Sequence, residues 1–189
     1  MLFVRPATRD DAADIARIDV ETWRSSYAGI LPDKVLLNLT PGRLAGEWQS
    51  QLVHRPDDVR VAEWTGVGVI GFGSCGTIRH PVDGLAGEVH TLYVSPDFQG
   101  RGVGRALLMA LFRRLVATGQ LSAAIWVLRD NPARFFYERM GGRMVAHRKI
   151  PVGGQPIPAL AYGWRDLVAA VRTGGRAVRP LAGDGKSPL

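Results

Sequence analysis

The strongest constraint on this 189-residue chain is a glycine-rich segment between two apolar runs. Residues 88–94 have the composition of a β-strand, and residues 107–115 carry leucines at helical spacing. Gly100, Gly102 and Gly104 stand where the helix must begin. Glycines let backbone N–H groups approach an anion closely, and a helix N-terminus adds partial positive charge. The segment therefore predicts a diphosphate-binding loop and a ligand that contains a nucleotide.

Two familiar phosphate loops do not match this segment. A Walker loop ends in Gly-Lys followed by Ser or Thr, whereas here Gly104 is followed by Arg105 and then alanine. A dinucleotide fingerprint needs a different glycine spacing and an acidic residue about 20 positions later, where this chain has Gln120. Arg101 also flanks the glycines, and no Asp or Glu occurs between positions 97 and 130. The segment is therefore predicted to bind an anionic ligand through a loop of neither of these two types.

Gln99, Gly102 and Gly104 satisfy the pattern Gln/Arg-x-x-Gly-x-Gly/Ala. With the preceding strand and the following helix, this segment resembles the acetyl-CoA-binding loop of the GCN5-related N-acetyltransferases (GNAT). A second segment, after a strand-like run at 121–128, is similar to another GNAT motif. Its matching residues are Asn131, Ala133, Phe136, Tyr137 and Gly141. It departs from the family at 142–143, where Gly-Arg replaces the usual Gly-Phe.

The resemblance covers roughly residues 2–166, and residues 22–32 are similar to one branch of small bacterial members whose acceptor is unassigned. It implies an α/β (α+β) fold with a mixed, mostly antiparallel central sheet flanked by helices. The strands at 87–94 and 121–128 are expected to be parallel neighbours that splay apart to hold the cofactor. We expect one acetyltransferase domain over 1–172 and a disordered, Gly-, Pro- and Arg-rich tail over 173–189.

Element signals along the chain agree with this layout. Apolar periodicity and Gly or Pro punctuation predict the remaining helices and strands. The helices are expected near 32–39, 41–53, 102–118 and 132–140, and the strands near 59–64, 67–78, 143–150 and 157–165.

By resemblance, the acyl donor is acetyl-CoA, and no metal is implied. Backbone groups of Leu92 and Val94 would bind the pantetheine amides, with the Val94 N–H near the carbonyl oxyanion. Asn131 would bind the pantetheine arm, although it could instead only cap a helix. The other predicted cofactor-binding residues are Gln99, Gly100, Arg101, Gly102, Val103, Gly104, Arg105 and Arg134.

Amine acetylation needs a neutral amine, and a primary amine with a pKa near 10 is mostly protonated at pH 7. In a regular strand, Glu88, His90, Leu92 and Val94 share one face unless a bulge shifts the register. Glu88, acting through water, is the preferred base and His90 the alternative, while Glu88 could also merely orient the ammonium or end the strand. Tyr137 matches the family's general acid, which protonates the leaving thiolate, and a core role is its alternative.

The acceptor, a small-molecule or peptide amine, is not specified by the sequence. The resemblance assigns acceptor recognition to the first helix and its loop, with Trp23, Arg24 and Tyr27 as candidates. For Trp23 a core role is at least as well supported, because aromatic side chains at helical spacing usually pack in the interior. An acyl-CoA sensor with little turnover is the alternative function.

The net charge of +7 comes almost entirely from arginine. The basic residues are dispersed and form no nucleic-acid motif, so no nucleic-acid partner is expected. The single cysteine, Cys75, fits a reducing compartment, and no apolar run approaches the ~18 residues of a membrane span. We therefore expect a cytoplasmic protein without a membrane partner, and leave a homodimer open.

Overall fold

The computed structural model describes residues 1–55 and 58–174. The strands are β1 (Leu2–Pro6), β2 (Val59–Trp64), β3 (Gly68–Thr77), β4 (Gly87–Val94), β5 (Ala123–Leu128), β6 (Arg143–Val152) and β7 (Gln155–Trp164). The helices are α1 (Ala12–Ser26), α2 (Asp33–Leu37), α3 (Pro41–His54), α4 (Val103–Ala117), α5 (Ala133–Arg139) and α6 (Leu167–Gly174). None of these helices has the length and apolar character that crossing a bilayer requires.

The seven strands form one sheet in the order β1-β2-β3-β4-β5-β7-β6. Every neighbouring pair is antiparallel except β4 and β5, which run parallel. This confirms the predicted fold class. The parallel pair is short, because only Gly87–Ala123, Glu88–Ala124 and Val89–Ile125 are partners. Beyond Val89 the two strands share no further partners, as the expected splay requires.

A bulge in β4 changes which of its residues share a face. Ser74 pairs with Thr91 and the next residue of β3, Cys75, pairs with Val89, so His90 is the extra residue. The bulge separates Glu88 from Leu92, whose side chain packs with the residues facing α4. The predicted common face for Glu88, His90, Leu92 and Val94 is therefore wrong, because one inserted residue reverses the alternation.

The core lies on both faces of the sheet. On one face α4 buries Leu107, Leu108 and Leu111 against β3, β4 and β5. On the other face α1 and α3 pack against β2 and β3, with Trp48 meeting Phe72 edge to face at 5.0 Å between ring centroids. Sandwiching the sheet in this way fixes the N-terminus of α4 relative to β4.

Two glycines of β3 allow α4 to approach the sheet closely. A Cβ at Gly71 would lie 2.9 Å from the Tyr93 carbonyl oxygen and 3.2 Å from Leu107. A Cβ at Gly73 would lie 2.7 Å from Leu111 and 2.9 Å from the Thr91 carbonyl oxygen. Any side chain here would push the helix and β4 apart, so these positions set the distance between them.

The C-terminal helix α6 was not predicted from the sequence. Leu167 at its start is fully buried, and the carbonyl of Gly174 at its end accepts hydrogen bonds from Arg105 Nε and Nη2 at 3.0 and 2.6 Å. Residues 173–174, where the predicted tail begins, belong to this helix. The rest of that prediction, 175–189, lies outside the described residues.

Replacing Gly73 by alanine should destabilise the protein by about 1–3 kcal/mol, because the new methyl group overpacks the α4 contact. The control is Gly46 in α3, which is exposed and whose Cβ would meet nothing within 4 Å. Gly46→Ala should stabilise the protein by about 0.5–1 kcal/mol. Urea unfolding of both variants measures the two effects. Equal stability of Gly73→Ala and the parent protein would contradict the close-packing argument.

Candidate functional site

A cavity of about 600 Å³ opens where β4 and β5 part. This volume lies within the range typical of small-molecule sites. Its lining joins the glycine loop and the start of α4 to both parted strands, to α5 and to the end of α1. The lining residues are Thr22, Ser26, Tyr27, His90–Val94, Gln99, Gly100, Gly102, Gly104, Arg105, Ile125–Val127, Asn131–Ala133, Phe136, Tyr137, Arg139 and Met140.

The glycine loop and the start of α4 present backbone N–H groups at one end of the cavity. Gly100 and Gly102 have φ of +72° and +82°, a conformation that other residues rarely adopt. The first intrahelical bond of α4 runs from the Ala106 N–H to the Gly102 carbonyl, so the N–H groups before it have no acceptor in the helix. Gln99 ties the loop to β4 by donating to the Val94 carbonyl at 3.2 Å. This arrangement suits an anion.

The predicted cofactor-binding side chains divide into two groups. Arg105 lines the cavity and also holds the end of α6. Arg101 is outside the lining and lies over the Phe98 ring, with its Cζ 5.4 Å from the centroid. Val103 is buried in the core below the loop. Arg134 stacks on Phe135, with its Cζ 4.0 Å from the ring centroid. The structure therefore brings only some of the predicted residues to the cavity.

Asn131 and Tyr137 reach the cavity from the β5–α5 connection. Asn131 is buried, and its Oδ1 accepts the Ala133 N–H at 2.8 Å, so it caps the start of α5. Tyr137 is only 5% exposed and packs edge to face against Phe136 and Trp164. Burial raises the pKa of Tyr137 well above its usual value. The phenol therefore stays protonated at physiological pH and can act as a hydrogen-bond donor.

Glu88 is held by Arg79. Its side chain is 1% exposed and accepts bonds from the Arg79 backbone N–H at 2.9 Å, Nε at 3.0 Å and Nη2 at 2.7 Å. Glu88 is not among the described residues that line the cavity, although it is two positions from His90, which is. Both guanidinium bonds end on Oε1 and the backbone bond on Oε2, so three charge-assisted hydrogen bonds fix Arg79 against Glu88.

His90, the bulge residue, presents a single basic nitrogen. Its Nε2 lies 3.2 Å from the Thr77 carbonyl oxygen. A carbonyl can only accept, so Nε2 carries the proton and Nδ1 carries the lone pair. Burial, and secondarily the positive charge of Arg79, lower the pKa of His90 below its usual 6.5. His90 is therefore neutral at pH 7 and able to accept a proton.

Of the three predicted acceptor residues, Tyr27 alone lines the cavity. Trp23 packs edge to face on Tyr27 at 5.0 Å and donates from Nε1 to the Tyr93 hydroxyl at 3.2 Å. Arg24 points elsewhere and donates to the Leu39 carbonyl at 2.9 Å. Trp23 thus packs against the lining residues Tyr27 and Tyr93, in agreement with the core role that its helical spacing indicated.

Seven polar or aromatic lining residues were not predicted as site residues: Thr22, Ser26, Thr91, Tyr93, Trp126, Phe136 and Arg139. Thr91 shares a 2.7 Å hydrogen bond with Ser74. The Oγ1 of Thr22 and the Nε1 of Trp126 are buried and have no hydrogen-bond partner among the described residues. Trp126 was read as one apolar residue of a strand. Its position in the middle of β5, where that strand parts from β4, is the signal that could have identified it.

Comparison with known sequences identifies the family. The sequence model of the acetyltransferase (GNAT) family matches residues 20–142, well over half of the chain. YuaI of Bacillus subtilis, an uncharacterized N-acetyltransferase, is 33% identical over 169 residues, which are 89% of this chain and 96% of YuaI. An N-acetyltransferase of Archaeoglobus fulgidus, also uncharacterized, is 32% identical over 137 residues, 71% of this chain and 88% of the relative.

Solved structures agree with this assignment. YncA from Salmonella typhimurium, determined with its cofactor acetyl-CoA, is 25% identical with a TM-score of 0.62 over 96% of this chain and 98% of YncA. A GCN5-related N-acetyltransferase from Rhodopseudomonas palustris is also 25% identical with a TM-score of 0.62, over 85% of this chain and 93% of its own. The parted parallel strands, the glycine loop and these matches together establish that the chain belongs to the GNAT family of acetyltransferases.

Proposed function

We propose that the protein transfers the acetyl group of acetyl-CoA to a primary amine by direct attack on the thioester. The observation that carries this proposal is that one cavity is lined both by the anion-binding loop and by His90 and Tyr137. A donor with a diphosphate at one end and a thioester at the other fits such a cavity. YncA, which shares the fold, was solved with acetyl-CoA, and this supports the same donor here.

The donor would be held mainly by backbone groups. The N–H groups at the start of α4, together with the Arg105 side chain, would bind the diphosphate. The pantetheine arm would enter between β4 and β5, where Leu92 and Val94 line the cavity and lack β5 partners. Asn131 lies opposite on the β5–α5 connection. Its Oδ1 already caps α5 and its amide also hydrogen-bonds the Tyr27 phenol, so one of the two amide N–H bonds would donate to the arm.

The reaction needs one base and one acid. Nδ1 of His90, directly or through a water, would take a proton from the substrate ammonium, and the neutral nitrogen would attack the thioester carbonyl carbon. A C–N bond forms and the C–S bond breaks, while the nitrogen loses its second proton and the sulfur gains one. The Tyr137 hydroxyl would donate a hydrogen bond to the developing thiolate, because the raised pKa keeps the phenol protonated.

We assign the base to His90 rather than Glu88. Both carboxylate oxygens of Glu88 accept hydrogen bonds from Arg79, and the side chain lies outside the cavity lining. Glu88 would instead position Arg79, whose charge acts on His90.

The direct test mixes the purified protein with acetyl-CoA and a broad panel of amines and follows the release of free thiol. Release above the rate of spontaneous hydrolysis with at least one amine is expected. Tight acetyl-CoA binding without turnover across the panel would favour the sensor alternative, and absence of both would overturn the donor assignment.

Replacing Tyr137 by phenylalanine removes the hydroxyl and keeps the packing of the ring. Turnover should fall by roughly ten- to a thousandfold, while acetyl-CoA affinity changes little. Tyr162→Phe is the matched control, because Tyr162 is a buried neighbour that donates to Glu138 and does not line the cavity. Unchanged single-turnover rates in Tyr137→Phe would return this residue to a core role.

Gly104→Val should weaken acetyl-CoA binding by about tenfold or more without lowering stability. A Cβ at Gly104 would meet Phe136 at 3.5 Å, an ordinary contact, so the free protein tolerates it, but the larger side chain would fill space near the loop. Gly104→Ala is the control, since the family pattern allows glycine or alanine there. Calorimetric titration with thermal melts separates binding from folding, and equal affinity of all three proteins would contradict the prediction.

The pH dependence of turnover should report His90. Its lowered pKa means that kcat stays high at pH 7 and falls only as the pH drops below 6.5, when the imidazole gains a proton. His90→Gln should lower kcat by roughly ten- to a thousandfold and abolish this decline. His54→Gln, on the exposed end of α3, should leave the profile unchanged. If Glu88→Gln rather than His90→Gln removed the decline in a folded protein, Glu88 would be the base.

A further inference from the structure

We infer that the acceptor amine carries a carboxylate, and that Arg148, with the fixed guanidinium of Arg79, binds this carboxylate beside Trp126. This inference rests on the proposed acetyl transfer and names the class of amine that the same site takes. An α-amino acid is the simplest compound of this class.

The first supporting observation is the absence of carboxylates from the cavity lining. None of the described residues that line it is Asp or Glu, whereas two of them, Arg105 and Arg139, are basic. A polyamine or an aminoglycoside brings several ammonium groups, and each buried one needs a compensating negative charge. The cavity offers no such charge, so an acceptor with a single amine and an anionic group matches it better.

The second observation is the pair of basic side chains around Trp126, a residue that lines the cavity. The Cζ of Arg148 lies 5.4 Å from the centroid of the Trp126 ring, and the His80 ring meets the same indole edge-on at 6.5 Å. No ion pair of Arg148 occurs among the described residues. Arg148 can therefore supply an uncompensated positive charge to a ligand stacked against Trp126.

Arg79 is a second source of positive charge, because its guanidinium lies near enough to act on His90. Glu88 accepts bonds from Nε and Nη2 of Arg79, which leaves Nη1 to donate to a ligand. The side chain is 55% exposed although its partner is buried, so the guanidinium projects outward from Glu88. Its charge reaches His90, which lines the cavity. The proposed base and Trp126 thus line the same cavity.

The third observation is a set of polar atoms without partners. The indole N–H of Trp126 and the hydroxyl of Thr22, which is 5% exposed, are buried without a hydrogen bond among the described residues. Leaving such groups without a partner is unfavourable. Both residues line the cavity, and a ligand oxygen that reached them after a small side-chain shift would recover this energy.

The experiment compares acetylation of each standard L-amino acid with that of its decarboxylated amine, using thiol release from acetyl-CoA. We expect at least one amino acid to be acetylated with a kcat/KM about ten- to a hundredfold higher than its amine, as a hydrogen bond to a charged group provides. Methyl esters of the same amino acids should behave like the amines, because esterification removes the charge and keeps the bulk.

Two variants assign the site. Arg148→Gln should lower the preference for the acid, measured as kcat/KM for the acid divided by kcat/KM for the amine, by about tenfold. This change should come from a higher KM for the acid. The KM for acetyl-CoA should not change. Lys149→Gln is the matched control: it removes the same charge from the next residue of β6, which is exposed and points to the opposite face. Arg79→Lys, which keeps a cation beside Glu88, should lower the ratio as well.

The inference is overturned if no amino acid is acetylated, if the amines are acetylated as well as the acids throughout, or if Arg148→Gln and Lys149→Gln change the ratio equally. These results are distinguishable from failure of the proposed function. Efficient acetylation of decarboxylated amines alone keeps the acetyl transfer and removes the carboxylate site, whereas loss of acetyl-CoA binding would remove both.

Discussion

The candidate site depends on one feature of the sheet: the hydrogen-bonded pairing between β4 and β5 stops partway along the two strands. The two parallel strands share only three residue pairs, after which each has backbone groups without a partner in the neighbouring strand. Buried backbone groups need hydrogen-bond partners. A gap in the middle of a sheet is therefore stable only if something else meets those groups, and an extended ligand with amide groups can do so. The cavity is thus a consequence of interrupted strand pairing.

The close packing of α4 places the second element of the site. Because Gly71 and Gly73 present no side chains, α4 lies directly on β3 and β4, and its N-terminus is held at the mouth of the gap. The positive φ angles of Gly100 and Gly102 then turn the chain so that the first N–H groups of α4 lie beside the cavity. Glycines thus serve two purposes here: those in β3 set a distance, and those in the loop set a direction.

Charge is distributed unevenly along this cavity. The glycine loop and Arg105 give one end a positive character suited to a diphosphate. Outside the lining, the Arg79–Glu88 pair holds a guanidinium whose charge, together with burial, lowers the pKa of His90. Tyr137 is buried, and burial favours the neutral form of a phenol. A neutral imidazole and a protonated phenol are the forms that amine acetylation requires.

The sequence by itself determined the family and the order of the elements as far as β7, and it identified the glycine loop, His90 and Tyr137 as candidates for the site. These features depend on local patterns, such as glycine spacing and apolar periodicity, that a single chain displays directly. Only the tertiary structure decided that Glu88 faces Arg79, since a one-residue bulge reverses the side-chain alternation and leaves no mark in composition. It also decided that Trp126 and Arg148 meet beside the cavity, because contacts between residues distant in sequence arise from strand register and packing.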